Sequence, residues 1–301
     1  MSLSIRPSWA LSRIVALVSL VAALAQRVTL RLLLAAALPA AVGAQTDYYN
    51  TDRNRPIRIE DAYATERYSF DAHLAPLRLE RSAAGVYTWG VDPEIAFGIL
   101  PRTQLEVGLP VAFVDMGASR RVGIAGLDVS VLYNLNAETT RLPALGVRAR
   151  MLAPVGSLAA DKAYSSLQDM LTRTYSWARF HINGEYTFGG APVSSTTATT
   201  AVRTTPGMGA TELSRWLAGA AVDRTFPLRS LLVTGEVYAM QPIPSDADVA
   251  WNAGAGLRYQ LSPFLALDGG IGRRLTSDDR AWFVTFGVAR VFALRGLMPR
   301  R

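Results

Sequence analysis

The sequence predicts an all-β protein, a transmembrane antiparallel up-and-down β-barrel of about 12 strands. Three observations predict it. Apolar residues recur at every second position over segments of about ten residues. The alternate positions carry glycine and scattered charges rather than a solubilising surface. An export-signal pattern stands ahead of these segments. Composition narrows the field: with 50% hydrophobic residues, the chain is not disordered. Beyond its N-terminus no run approaches the roughly 18 apolar residues of a spanning helix. Cysteine is absent, which excludes disulfide scaffolds, thiolate metal sites and thiol nucleophiles together. The net charge of +7 suggests a nucleic-acid partner until it is partitioned. Residues 1–44 hold four arginines and no acid, and Arg295, Arg300 and Arg301 close the chain. The stretch 45–294 is therefore neutral overall, which argues against nucleic acid as a partner.

The N-terminal element comes first. Apolar runs at Ile14 to Ala25 and Leu32 to Ala44 flank Arg27 and Arg31. The second run has the secretory order: arginines, an apolar stretch, the Pro39 break and Val42-Gly43-Ala44. It predicts a signal peptide over 1–44, with Val28 an alternative start. A kinked membrane anchor would place Arg27 and Arg31 in the bilayer at about 2.5 kcal/mol or more each. Residues 45–66, with Tyr48-Tyr49-Asn50 and Asn54-Arg55-Pro56, hold no long strand. They read as a periplasmic N-terminal segment, with a lumen plug as the alternative.

The barrel is predicted over 67–293, followed by a short basic tail at 294–301. In the clearest strand, Leu105, Val107, Leu109, Val111 and Phe113 alternate with Glu106, Gly108, Pro110 and Ala112. Strands are read at 67–81, 85–100, 104–115, 123–135, 143–154, 175–188, 213–224, 229–240, 249–260, 263–273 and 280–293. Lys162 is the only lysine, so the glycine-rich face suits a barrel interior and the apolar face suits lipid. Tyr133, Tyr186, Trp216, Tyr259 and Trp282 are placed for interfacial girdles. Eleven strands leave an odd number, whereas bacterial barrels are even, with brief periplasmic turns and longer external loops. The long links are 155–174 and 189–212. Brief turns on the periplasmic side would make 175–188 and 213–224 both run inward, so the twelfth strand is expected in the Ser/Thr-rich stretch 192–205. Twelve strands imply a narrow or plugged lumen.

Parity sends Glu106, Asp128, Arg148, Arg150, Arg179, His181, Asn183, Glu185, Asp223, Glu236, Arg258 and Asp268 into the lumen. Two readings stand. Opposite charges form cross-barrel ion pairs that hold the wall or a plug, or they form a polar constriction that selects solutes, with Arg148 and Arg150 its strongest local field. Only His73 and His181 are histidines, and no serine shares the face of His181, so no catalytic residue is assigned. Scattered carboxylates and two distant histidines predict no metal and no cofactor. Gly85 to Gly90 has no helix after it, which argues against a phosphate-binding loop.

Local motifs carry a resemblance. Trp89 to Pro110, Arg179-Phe180-His181-Ile182-Asn183, Gly254-Ala255-Gly256-Leu257-Arg258-Tyr259 and Leu267-Asp268-Gly269-Gly270-Ile271-Gly272 together resemble the outer-membrane barrels named after the meta pathway of phenol degradation. Members of that family are considered transporters of hydrophobic or aromatic small molecules. The resemblance implies an outer-membrane barrel that passes or binds small molecules without catalysis. Its partners would be outer-membrane lipid, a small-molecule solute and the barrel-assembly machinery. The alternative is a structural or adhesive barrel acting through external loops at 155–174 and 205–212.

Overall fold

The computed structural model describes residues 50–73, 77–81, 87–115, 120–189, 213–243, 248–276, 281–294 and 297. The predicted signal peptide at 1–44, the stretch 192–205, the loop 205–212 and most of the tail 294–301 lie outside these residues.

Twelve antiparallel staves close into a barrel. The first four are each divided into two strands: β1 (Ser69–His73) with β2 (Leu77–Arg81), β3 (Tyr87–Val91) with β4 (Glu94–Leu100), β5 (Thr103–Gly108) with β6 (Val111–Asp115), and β7 (Arg120–Ile124) with β8 (Leu127–Asn136). The remaining eight are continuous: β9 (Ala144–Ala153), β10 (Tyr164–Thr174), β11 (Arg179–Phe188), β12 (Ser214–Thr225), β13 (Leu231–Pro242), β14 (Ala250–Ser262), β15 (Leu265–Arg274) and β16 (Trp282–Ala293). Sequential staves pair throughout, and β1 against β16 closes the ring. At that seam Phe70 lies opposite both Phe97 and Phe292, with ring centroids 4.4 and 5.4 Å apart. In hydrocarbon an unpaired strand edge has no water to satisfy it, so closure is what allows a sheet to cross the membrane.

The side chains follow the predicted parity. Val107, Val131, Tyr133, Met151, Ile182, Tyr186, Trp251, Leu257, Ile271 and Phe286 are exposed on the outer face. Arg148, His181, Asn183, Glu236, Arg258 and Asp268 are buried within. This inversion, apolar outside and polar inside, is the physical mark of a barrel solvated by lipid, and it places the chain in the outer membrane. One end carries the connections 101–102, 137–143, 175–178, 226–230 and 263–264, the other the longer ones, notably 154–163 and 189–213. The longer set marks the external end.

Two expectations need correction. The twelfth stave is β10 (Tyr164–Thr174), inside the link read as 155–174. That link therefore reduces to 154–163, and β11 runs outward instead of inward. The reason is compositional. Ser165, Asp169 and Arg173 lie on the outer face of β10, while Ser166, Gln168 and Thr172 lie on the inner, so hydropathy does not alternate. Backbone pairing with β9 and β11 fixes the strand instead. The outward Asp169 stands opposite Gly184, where no side chain crowds it. The second correction concerns 45–66. Its described part, residues 50–66, runs inside the barrel and is the plug, not a periplasmic extension.

These positions give signed predictions. Leu167→Arg, at the middle of the outer face of β10, should cost about 2–4 kcal/mol, whereas Leu142→Arg in the turn 137–143 should cost about 0–1 kcal/mol. Asp169→Leu should stabilise the barrel, because it removes a carboxylate from the lipid face. Urea titrations of the heat-modifiable folded band on gels measure all three.

Candidate functional site: a plugged lumen

Residues 50–66 have no strand of their own, so their backbone N–H and C=O groups need partners supplied by the wall. The inward face of the barrel supplies them. The Glu236 carboxylate on β13 accepts the N–H of Arg58 at 2.8 Å and of Ile59 at 2.9 Å. Asn183 on β11 accepts from the Glu60 N–H at 2.8 Å and donates to the Glu60 carbonyl at 2.9 Å. Thr172 on β10 accepts the Ala62 N–H at 3.0 Å, and Asn134 on β8 donates to the Ala62 carbonyl at 2.7 Å. Gln104 on β5 takes the Thr65 N–H at 2.8 Å, and the Thr285 hydroxyl on β16 donates to the Pro56 carbonyl at 2.9 Å.

Side-chain charge completes the fastening. Arg148 bridges Glu60 of the plug at 2.7 Å and Glu106 of the wall at 3.0 Å, with Ser130 3.1 Å away. Arg258 reaches Asp52 at 2.6 Å and also donates to the Asn50 carbonyl. Arg55, fully buried, pairs with Asp52 and stands 3.7 Å from Asp268. Arg53 meets Glu185 at 3.3 Å. Two pairs belong to the wall: Arg150 with Asp128 at 2.7 Å, and Arg179 with Asp223 at 2.9 Å. A buried arginine or carboxylate is tolerated only when its partner is supplied, and here each predicted lumen charge faces an opposite one or a plug amide. The structure thus brings together all of Glu106, Asp128, Arg148, Arg150, Arg179, His181, Asn183, Glu185, Glu236, Arg258 and Asp268 on the inner surface. Their assignment to solute selection stays a proposal.

Space is made for the plug where the wall lacks side chains. A Cβ at Gly256 would lie 2.6 Å from Pro56, and one at Gly219 would lie 2.8 Å from Ile59. On this side the contact is apolar: Ile57 and Ile59 pack with Leu217, Ala221, Tyr238, Met240 and Ala250. A cavity of about 60 Å³ remains between plug and wall, bordered by Asn50, Asp52, Tyr63, Ser69 and Asp71. That is room for a few waters, far below the roughly 300 Å³ at which small-molecule pockets begin. Among the described residues, 50–66 thus occupy the space between the walls of the barrel.

Of the neutral residues that hold the plug, sequence reasoning assigned Asn183 and missed Gln104, Asn134, Thr172 and Thr285. It also placed no hydroxyl near His181, because β10 was unread. Thr172 on that strand lies 3.0 Å from His181 Nδ1, and Asp223 lies 3.0 Å from Nε2. The order resembles a nucleophile–base–acid relay, but Thr172 and His181 are each 0% exposed and the Thr172 oxygen already accepts the plug amide. In this structure the plug covers both groups, and Thr172 fastens it. The donor atoms of Asp52, Asp71 and His73 converge within 4.8 Å. Arg55 and Arg258 already hold Asp52, and Glu94 holds His73 at 2.6 Å, so cationic charge is built into the cluster by protein side chains. The inward glycines and the narrow lumen of a twelve-strand barrel were the legible signals for a plug, since a bare inner wall needs something to fill it.

Among solved structures, the COG4313 outer membrane channel from Pseudomonas putida F1 is similar at 13% identity, with a TM-score of 0.48 over 77% of this chain and 98% of that one. The KdgM porin is similar at 12% identity, with a TM-score of 0.43 over 74% and 99%. The CymD monoaromatic hydrocarbon channel is similar at 8% identity, with a TM-score of 0.44 over 76% and 89%. No curated protein matches the chain. The family model described as "Putative MetA-pathway of phenol degradation" matches residues 80–291, and the chain belongs to that family.

Proposed function

We propose that this barrel is a gated outer-membrane passage for small molecules, closed by residues 50–66 and held closed by the inward charges. One observation carries the reading: the wall grips the plug chiefly through hydrogen bonds to its backbone and through ion pairs. Such bonds exchange for bonds to water at a net cost of about 0.5–1.5 kcal/mol each, so a plug held this way can leave for an aqueous phase. A plug fixed for stability alone is better served by apolar packing, because replacing buried polar networks with hydrophobic residues is often neutral or stabilising.

The lumen uncovered by plug movement would be two-sided. Leu217, Tyr238, Met240 and Ala250 form an apolar wall, opposite the charged wall of Glu106, Asp128, Arg148 and Arg150. Thioether and aromatic side chains accept apolar and aromatic guests of varied shape. This supports small hydrophobic or aromatic solutes, as family membership does, with the charged wall setting the preference among polar ones. The reading is non-catalytic: Thr172, the hydroxyl set on His181, is spent on the Ala62 amide of the plug. Arg148 and Arg150 differ in the reading, since Arg148 holds Glu60 of the plug whereas Arg150 chiefly holds Asp128 of the wall.

The cysteine-free chain allows a direct test. A Cβ at Gly146 would lie 3.2 Å from the Ala62 Cα, so plug and wall are adjacent here. An Ala62→Cys/Gly146→Cys pair can be tested for a crosslink, its formation checked by gel shift under oxidising and reducing conditions. The oxidised variant should lower solute-induced swelling of proteoliposomes several-fold, and reductant should restore it; equal swelling in both states sinks the mobile plug. Arg148→Ala should raise swelling by freeing Glu60, and Arg150→Ala should change it less. Equal swelling of wild type and Arg148→Ala would remove Arg148 from the latch.

A further inference from the structure

The external rim carries outward-facing residues aligned by register. Arg273 on β15 stands opposite Trp282 on β16, Trp282 opposite Arg81 on β2, and Arg81 opposite Tyr87 on β3. The row continues through Asp115 on β6 to Arg120 on β7, whose guanidinium pairs with Asp115 at 2.9 Å. The next outward row is Ile271, Val284, Leu79, Trp89, Phe113 and Val122, apolar throughout. Trp89 stacks on Phe113 there, with centroids 5.1 Å apart.

Strand tilt of about 40° lifts each successive member of a row by about 3 Å. The row therefore climbs out of the hydrocarbon from Arg273 toward Arg120. Arg273 and Arg81, two strands or about 10 Å apart, straddle an interfacial tryptophan at the level where acyl chains give way to headgroups. The Arg81 guanidinium lies 5.5 Å from the Tyr87 ring centroid, which holds it along the wall.

We infer that Arg81 and Arg273, with Trp282 and Tyr87 beside them, bind the phosphate groups of a phosphorylated glycolipid in the outer leaflet. Charge complementarity selects the occupant. Two outward guanidinium forks match phosphate oxygens bidentately and with opposite charge, whereas an ammonium repels them and a neutral hydroxyl or carbonyl accepts from them without the charge. The apolar row beneath takes the acyl chains of the same molecule, which a free phosphate lacks. The inference concerns the outer wall and is independent of what crosses the lumen.

Native mass spectrometry of the full chain in detergent tests it with three probes: a bisphosphorylated acylated glucosamine disaccharide, the same lipid with its phosphates removed, and inorganic phosphate. The bisphosphorylated lipid should bind wild type at least fivefold more tightly than the dephosphorylated form. The Arg81→Ala/Arg273→Ala variant should lose that factor, and Arg224→Ala, an exposed arginine at the opposite end of β12, should keep it. Millimolar inorganic phosphate should not compete. Equal binding of the two lipid forms, unchanged binding by the double variant, or displacement by inorganic phosphate alone would each overturn the assignment. Should the double variant fail the heat-modifiability check, the salt dependence of the wild-type complex decides: affinity for the bisphosphorylated lipid must fall as ionic strength rises, and a salt-independent affinity refutes it.

Discussion

Hydrocarbon offers no hydrogen bonds, and every other feature of this chain follows from that. A backbone amide left unpaired in lipid costs several kcal/mol, so the sheet must close, and β1 against β16 closes it. Closure then divides the residues into two solvents. The outward set faces acyl chains and, β10 apart, is mostly Leu, Val, Ile and aromatic; the inward set is withdrawn from lipid and free to be polar. The parity rule that sorts a strand into faces thereby becomes a rule about which side chains meet which solvent.

The same demand reappears inside. Residues 50–66 enter the lumen without a strand partner, and their amides and carbonyls have to be satisfied by side chains of the wall. Glu236, Asn183, Thr172, Asn134, Gln104 and Thr285 act as a substitute for a neighbouring strand. The inward charges serve the same end, because a carboxylate such as Glu60 is tolerable in the interior only with Arg148 against it. Much of the polarity in the lumen is thus committed to one segment of the chain itself.

The split staves show a further compromise. Pro93 and Pro110 lack the N–H that a ladder needs, and they interrupt the second and third staves between β3 and β4 and between β5 and β6. The neighbouring backbone compensates, with Leu109 donating to the Pro93 carbonyl at 3.0 Å and Ala125 to the Pro110 carbonyl at 2.8 Å. Beyond the break the outer strands rise to β7, which among the described strands pairs with β6 and accepts the Leu158 amide of the 154–163 connection on the Ile124 carbonyl at 3.0 Å.

What the sequence determined by itself was the solvent of each face. Period-two alternation in Leu105 to Phe113, or Trp251 to Tyr259, needs no tertiary information to be read, and it predicted the barrel and the inward position of every candidate from Glu106 to Asp268. It read eleven strands, and the count of twelve came from the rule that bacterial barrels are even. Two things only the tertiary structure decided. β10 is a strand because β9 and β11 flank it, not because its own residues alternate; its composition is polar on both sides, and pairing overrides propensity. The plug is a plug because Gly219, Gly256 and the polar wall leave a cavity of its shape, and no local pattern in 50–66 encodes where a non-repeating segment will lie. Local periodicity reports the environment of a strand, whereas an irregular segment takes its place from partners far away in the chain.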